Sequence, residues 1–269
     1  MRHIPLADLL QKMLADLAGA KNDAQRADSL AKVTKMLPGL RQGYIRRNGQ
    51  RKWSPVKVWL TKNLGKKCWY TEAELVGAPL TIDHYRPVSK YWWLAFAAEN
   101  YRVACAFANS PEHNALHGCS GGKGDAFPLL APARRATWSS RKRHERPVIL
   151  DPCNKSDCEL IAFQADGRPV ISPLRASDPV ASKRVDESKI LLNLDHPDFN
   201  AKREQLCIEI ADDVKTYEEL PVGSIARGIV TTRLAMRLDS RAPFSSAARY
   251  YLQFHRHLAW VEDLLAKVK

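Results

Sequence analysis

Asp83 and His84 place a carboxylate beside an imidazole in the segment Thr81–Pro87, and two asparagines, Asn100 and Asn109, follow them. A histidine with an ordinary pKa of roughly 6.5 can accept a proton from water near neutral pH. Carboxylate and amide oxygens are ligands that suit Mg²⁺, and the cation can offset charge on the leaving oxygen of a phosphodiester. These residue types therefore favour metal-assisted hydrolysis of a phosphodiester bond.

Two further side chains could hold a scissile phosphate. Lys123 lies in the glycine-rich segment Ser120–Gly124, where glycines would let the backbone approach a phosphate and the lysine would add charge. The GxxxxGK[ST] spacing of a P-loop is absent, and a flexible solvated loop is the alternative interpretation. Arg86 is the second candidate. Trp92 and Trp93 are interpreted as hydrophobic core beneath the site rather than as a platform for base stacking.

Basic residues are in large excess and are clustered. The chain has 42 Lys and Arg against 29 Asp and Glu, a net charge of +13. From position 41 to position 67 there are nine basic residues and no acidic one. A second cluster, which contains Glu145 as its acidic residue, consists of Arg134, Arg135, Arg141, Lys142, Arg143 and Arg146. Neutralising phosphates releases counterions, so both clusters indicate a nucleic-acid partner, although a solubilising surface is the alternative for each.

Neither a membrane span nor a secretion signal is expected. No stretch of about 18 uncharged apolar residues occurs, and the N-terminal residues lack the uncharged apolar core of a signal peptide. We therefore expect a cytoplasmic protein with no membrane partner.

The elements that must position the candidate residues fall into three predicted segments. Residues 1–65 form a basic, helical lead-in, and residues 66–130 form a compact centre rich in aromatic residues, glycine and proline. Within that centre we predict a hairpin between 67–70 and 79–83, followed by a helix near 102–109. Residues 131–269 form an extension with predicted strands at 147–150, 160–164 and 169–171, a turn at Asp166 and Gly167, and helices at 183–192, 198–219, 222–238 and 244–267.

The order of the candidate residues resembles the HNH, or ββα-metal, nuclease family. In that family the first histidine is the general base, a middle asparagine orders the hairpin loop, and a last histidine or asparagine binds metal from the helix. The resemblance implies that His84 is the base, that Asp83 and Asn109 hold Mg²⁺ or Mn²⁺, and that Asn100 orders the loop. It also implies an α+β fold, with a small ββα centre embedded in a mostly helical body.

A longer resemblance, over roughly residues 66–206, is to the PtuB family of HNH nucleases found in Septu and in some retron anti-phage systems. It implies a defence effector that works with a PtuA-like ABC-type ATPase. The segments that carry it, in chain order, are Lys67–Tyr70, Ile82–Pro87, Tyr91–Ala95, Glu99–Asn100, Lys123–Leu129, Val148–Cys153 and Ile190–Asp195.

The cysteines depart from what this resemblance implies. Many such nucleases hold the hairpin to the helix with zinc bound by two CxxC pairs, whereas here each pair keeps only its first cysteine, Cys68 or Cys105. A structural zinc normally needs four nitrogen or sulfur ligands, and Cys119 with His117 could complete a set. Packing of Cys68 and Cys105 in the core is the favoured alternative.

The sequence therefore predicts a metal-dependent HNH endonuclease. One alternative is a degenerate HNH module that binds nucleic acid or the ATPase without cleaving. Another is an HNH ribonuclease acting on structured RNA such as tRNA. DNA is favoured over RNA as the substrate, although the ββα centre grips the phosphate backbone rather than reading bases.

Overall fold

The computed structural model describes residues 1–141 and 144–268. Lys142 and Arg143, which belong to the second basic cluster, lie outside the described residues, as does Lys269. The fold is about 53% helical, and the described part contains three two-stranded antiparallel sheets. This confirms the predicted α+β class with a mostly helical body.

The elements are as follows. The strands are β1 (Thr81–His84), β2 (Tyr101–Ala104), β3 (Glu112–Asn114), β4 (Cys119–Gly121), β5 (Ile161–Phe163) and β6 (Pro169–Ile171). The helices are α1 (Leu6–Leu14), α2 (Leu17–Lys35), α3 (Pro38–Asn48), α4 (Gln50–Leu64), α5 (Ala106–Asn109), α6 (Lys155–Cys158), α7 (Pro179–Leu191), α8 (Pro197–Glu219), α9 (Ile225–Leu238), α10 (Ser245–Gln253) and α11 (Ala259–Lys267).

The N-terminal helices cover one side of the β1–β2 hairpin. Leucines of α1, together with Val56 and Leu60 of α4, share a hydrophobic cluster with Tyr101 and Val103 of β2. α2 ends at Lys35 and Pro38 begins α3, because proline is well tolerated in the first turn of a helix. The basic lead-in is therefore packed directly against the central hairpin.

The predicted hairpin between 67–70 and 79–83 is wrong. β1 pairs instead with β2, in the register that joins Thr81 to Ala104 and His84 to Tyr101. The segment after α4 forms a tight turn in which the Cys68 amide donates to the Ala73 carbonyl at 2.9 Å. Local β-propensity indicates that a segment fits a pleated surface, but it does not identify the strand with which that segment pairs.

The helix predicted near 102–109 is shorter than expected. Residues 101–104 form β2, all four of them buried, and the helix α5 begins only at Ala106. A short apolar run cannot be assigned to strand or helix by periodicity alone. The result is the order strand, long loop, strand, short helix, which is the ββα order that the HNH resemblance implied.

The C-terminal extension agrees more closely with the sequence. β5 and β6 form the predicted hairpin around Gly167, which has a φ of +80°, although 147–150 contributes only an isolated bridge from Pro147 to Leu129. α7, α8 and α9 confirm three predicted helices, whereas the fourth is divided into α10 and α11. In the part of the chain that the structure describes, no helix is long and apolar enough to span a membrane.

Candidate functional site

The loop between β1 and β2 is closed by Asn100. Its Oδ1 accepts a hydrogen bond from the Arg86 amide at 2.8 Å, and its Nδ2 donates to the Arg86 carbonyl at 2.9 Å. The Tyr85 amide in turn donates to the Asn100 carbonyl at 2.8 Å. Asn100 is only 4% exposed, so it joins the two ends of the loop rather than facing solvent.

His84 ends β1 and its imidazole is held in one orientation. Its Nε2 lies 2.9 Å from the Ala95 carbonyl, and because a carbonyl can only accept, Nε2 carries the proton and the lone pair is on Nδ1. The rings of Trp53 and Tyr101 pack edge-on against it at 4.9 and 5.1 Å between centroids. Burial lowers the pKa of His84 below its ordinary value, although the Ala95 carbonyl and Asp83 act in the opposite direction. A neutral imidazole with a free lone pair can act as a general base.

The surroundings of His84 are basic. The imidazole lines a cleft of about 500 Å³ between β1 and the helices α3 and α4. Arg46 and Lys57, both from the first basic cluster, line the same cleft. The Lys57 Nζ donates to the Leu80 carbonyl at 2.8 Å, which fixes it at the start of β1. An anionic group that enters the cleft therefore meets two cationic side chains beside His84.

Asp83 faces the other side of β1, because neighbouring residues of a strand point to opposite faces. It is 3% exposed. Its Oδ2 accepts a hydrogen bond from the Tyr70 hydroxyl at 2.6 Å, and its Oδ1 accepts one from Lys123 Nζ at 2.7 Å. Lys123 Nζ also donates to the His84 carbonyl at 2.8 Å. Both carboxylate oxygens of Asp83 are thus engaged by side chains of the protein.

The glycine-rich loop brings Lys123 to this position. Gly122 has a φ of +96°, and a Cβ there would lie 1.7 Å from the Ser110 carbonyl oxygen, so only glycine fits. The Lys123 amide donates to the Ala108 carbonyl at 2.9 Å, and the Gly124 amide to the Asn109 carbonyl at 3.1 Å. The glycine allows a close approach to α5. The Lys123 side chain is buried against Asp83, so the alternative of a flexible solvated loop is wrong, and the ammonium group predicted to contact phosphate is paired with a carboxylate.

Asp83 and Asn109 supply oxygen ligands of the right chemistry for Mg²⁺, but their surroundings do not fit the ion. Mg²⁺ demands near-octahedral oxygen ligands and keeps several waters, whereas the Asp83 carboxylate is buried and paired with an ammonium group. The Asn109 Nδ2 lies 3.3 Å from Thr81 Oγ1. No group of three or more His, Cys, Asp or Glu residues able to hold a metal is found within residues 1–141 and 144–268. We therefore assign no catalytic step to a metal ion.

Arg86 is placed differently from Lys123. Its side chain is 34% exposed, and its Nε donates to Glu145 Oε2 at 2.7 Å. The same carboxylate accepts hydrogen bonds from the Tyr91 hydroxyl at 2.5 Å and from the Ala136 amide at 2.8 Å. Glu145 thus connects the loop between β1 and β2 to the second basic cluster. The guanidinium of Arg86 remains partly accessible to solvent.

The four candidate zinc ligands do not form one cluster, although two of them are neighbours. Cys68 and Cys105 are buried next to each other, and the Thr71 hydroxyl lies 3.9 Å from the Cys105 sulfur. Burial raises the pKa of the Cys68 thiol, but hydrogen bonds from Cys105 and Thr71 outweigh it and lower that pKa. His117 instead binds Asp195 at 2.9 Å, and Cys119 lies on β4. The two remaining thiols pack in the core, where the other two ligand positions hold a threonine and an alanine.

Sequence reasoning missed one ion pair and two hydrogen bonds that support the hairpin and α5. Arg102 of β2 binds both oxygens of Asp151, at 2.7 and 2.6 Å. The Tyr85 hydroxyl donates to the Ile149 carbonyl at 2.8 Å. Asn193 Nδ2 donates to the Phe107 carbonyl of α5 at 2.7 Å. The sequence did contain an indication of these contacts. The segments Val148–Cys153 and Ile190–Asp195 carried part of the longer resemblance, and in the structure they pack against the hairpin and α5.

Comparison with known proteins gives one partial likeness. The chain is similar to the Septu protein PtuB of Bacillus mycoides (strain KBAB4), with 25% identity over 126 residues. The match covers 42% of this chain and 39% of that protein, so it spans about two fifths of the relative's length. No family model matches the chain. The likeness supports a Septu-like relationship and does not by itself assign the HNH family.

Proposed function

We propose that this protein is the nuclease of a Septu-type anti-phage system and that it hydrolyses nucleic-acid phosphodiester bonds with His84 as the general base. The observation that carries the proposal is the hairpin itself. β1 ends at His84, Asn100 closes the loop, β2 follows, and α5 ends at Asn109. The likeness to PtuB supports the defence role, and the basic cleft supports a polyanionic substrate.

The chemistry proposed for the cleft uses the groups that line it. The Nδ1 lone pair of His84 takes a proton from water as the water oxygen bonds to phosphorus, while Nε2 keeps its own proton and donates it in a hydrogen bond to the Ala95 carbonyl. The bond from phosphorus to the leaving oxygen breaks, and that oxygen takes a proton from solvent. The cationic side chains of Arg46 and Lys57 hold the phosphate and offset charge as the leaving oxygen departs. Asp83 and Lys123, behind β1, position the strand rather than touch the substrate.

A PtuA-like ABC-type ATPase is the proposed partner, and the support for it is the likeness to a Septu protein. An effector of this kind needs restraint until infection, so we expect the partner to control cleavage. Activity should therefore be measured for the purified chain alone and together with a PtuA-like ATPase.

The test is cleavage of DNA and of structured RNA, with EDTA, Mg²⁺ or Mn²⁺ in parallel reactions. A general base contributes about 10²- to 10⁴-fold to rate, so His84→Ala should lose at least about 100-fold. His113→Ala, which changes an exposed histidine on β3, is the matched control and should cleave like the wild type. Equal cleavage by His84→Ala and wild type would show that the assignment is wrong.

A second candidate function is binding of nucleic acid or of the ATPase without cleavage. The pairing of Lys123 with Asp83 favours it, because a cation that used Asp83 would have to displace a buried ammonium group. Cleavage and nucleic-acid binding, measured on the same protein, distinguish the two. Cleavage that depends on His84 supports the nuclease, whereas tight nucleic-acid binding with no cleavage in any metal, with or without the ATPase, supports the binding module.

A further inference from the structure

Four side chains from three separate segments form one stack at the surface. The Arg41 guanidinium of α3 lies 4.0 Å from the ring centroid of Trp92. The rings of Trp92 and Trp138 lie 4.7 Å apart at 37°. The Arg141 guanidinium lies over the Trp138 ring, 3.9 Å from its centroid. The order along this Arg–Trp stack is therefore arginine, tryptophan, tryptophan, arginine.

The Arg–Trp stack joins the two basic clusters that the sequence shows as separate. Arg41 opens the first cluster and Arg141 belongs to the second. Trp92 lies in the β1–β2 loop that also supplies the Ala95 carbonyl to His84. The residue after Arg41, Gln42, lines the His84 cleft, and its Nε2 donates to Val88 at 3.0 Å. The stack and the cleft are thus neighbouring parts of one surface.

The two arginines differ from those that serve the core. Arg86 and Arg102 are each paired with a carboxylate. Among the described residues, the ion pairs include neither Arg41 nor Arg141. Trp93, at 8% exposed, confirms the prediction that this aromatic pair packs in the core. Trp92 is partly buried against the same core and also reaches Trp138, which is 36% exposed.

We infer that Arg41 and Arg141 are preformed contacts for the phosphate backbone of the nucleic acid whose scissile phosphate enters the His84 cleft. A guanidinium stacked on an aromatic ring keeps a fixed plane, and its N–H fork matches a phosphate in two-pronged geometry. Less side-chain freedom is then lost on binding than for a mobile surface arginine. The inference rests on the proposed function, since it takes nucleic acid as the substrate.

The experiment measures binding rather than cleavage. Fluorescence anisotropy is recorded on the full chain carrying His84→Ala, with a labelled DNA duplex, its single strand and an RNA of the same sequence. The test variant adds Arg41→Gln and Arg141→Gln. The control variant adds Arg168→Gln and Arg175→Gln instead, which removes the same charge from exposed arginines flanking β6.

Two lost phosphate contacts should lower the slope of log K against log salt by about 1.8, at about 0.9 for each contact with duplex DNA. At roughly 0.1 M salt this corresponds to an affinity loss of about 10- to 60-fold. The control variant should lose no more than about 3-fold, through general screening of net charge. Trp138→Leu, which keeps both arginines and removes the ring on which Arg141 lies, should lose affinity without changing the salt slope.

Three results would overturn the inference. The first is a test variant that binds all probes like the parent, which leaves the proposed nuclease intact. The second is an equal loss in the control variant, which assigns the effect to net charge alone. The third is no binding of any probe by the parent, which removes the proposed function as well. The preferred probe among the three identifies the substrate as duplex, single strand or RNA.

Discussion

Replacing Lys123 with methionine tests the arrangement behind β1 most directly. The Lys123 and Asp83 side chains are 0% and 3% exposed, and their charged atoms lie 2.7 Å apart. Methionine keeps the length of the side chain but removes the charge, so the Asp83 carboxylate would stay buried with only the Tyr70 hydroxyl as a side-chain donor. An uncompensated buried charge is among the costliest defects that a single substitution can create.

The expected cost is about 3 to 5 kcal/mol in the free energy of unfolding, the usual range for breaking a buried pair by removing one partner. For a chain of this size that corresponds to a fall of roughly 6 to 20 °C in Tm, at about 2 to 4 °C per kcal/mol. Adding Asp83→Asn removes the orphaned charge, so the double variant should recover much of the loss. Lys155→Met is the control, because that lysine is 76% exposed, and it should change stability by less than about 0.5 kcal/mol.

Thermal unfolding with and without Mn²⁺ supplies the second readout. If the ammonium group takes the position of a cation beside Asp83, a divalent ion should bind a Lys123→Ala variant, in which the side chain no longer fills that position, and should raise its Tm. A ligand at about 100 times its Kd stabilises by about 2.7 kcal/mol. The wild type and a double variant of Lys123→Ala with Asp83→Asn should not respond. A Lys123→Met variant that loses less than about 1 kcal/mol, or a Lys123→Ala variant that ignores Mn²⁺, would refute this reasoning.

The remaining predictions concern Glu145, which holds the loop between β1 and β2, and the buried pair of Cys68 and Cys105. Burial would raise the pKa of Glu145, but hydrogen bonds from Tyr91, Arg86 and the Ala136 amide outweigh it and lower that pKa. The carboxylate therefore stabilises the fold above its unfolded pKa of about 4.3, and the stabilisation is lost as pH falls through the lower folded value. Urea unfolding from pH 7 to pH 3 should thus show a steeper acid loss for wild type than for Glu145→Gln, and parallel curves would contradict the assignment. Substituting cysteine for Thr71 and Ala108 should create a site for one Zn²⁺, measured by elemental analysis. Wild-type protein purified in parallel should contain less than about 0.1 equivalent of zinc. Zinc in both proteins would show that other ligands complete the wild-type site.

Some of this arrangement could be predicted because it depends on neighbouring residues. The helical periodicity and the start at Pro197 define α8, and the adjacent types of Asp83 and His84 suggest water activation before any fold is known. The position of Lys123 could not be predicted in this way. It lies forty residues from Asp83 in sequence, and the contact depends on how closely Gly122 approaches α5, which no local pattern records.

The partner of β1 was mispredicted for a related reason. Residues 67–70 have the composition of a strand, yet the Cys68 amide donates to the Ala73 carbonyl and the Trp69 amide donates to the Val103 carbonyl of β2. Antiparallel pairing across a long loop is selected by burial of both strands against α1 and α4, a long-range property. The candidate residues could therefore be proposed from the sequence, whereas the face on which each one lies required the fold.

Contacts from outside the central segment hold the turn at Cys68 and the helix α5, the two parts that zinc would join if both CxxC pairs implied by the resemblance were complete. The turn is held at the Thr71 carbonyl by Arg203 Nη2 of α8 at 3.3 Å. The helix is held at the Phe107 carbonyl by Asn193 at 2.7 Å. Both anchors come from the C-terminal extension, so the turn and α5 are positioned by the same part of the chain that supplies much of the hydrophobic core.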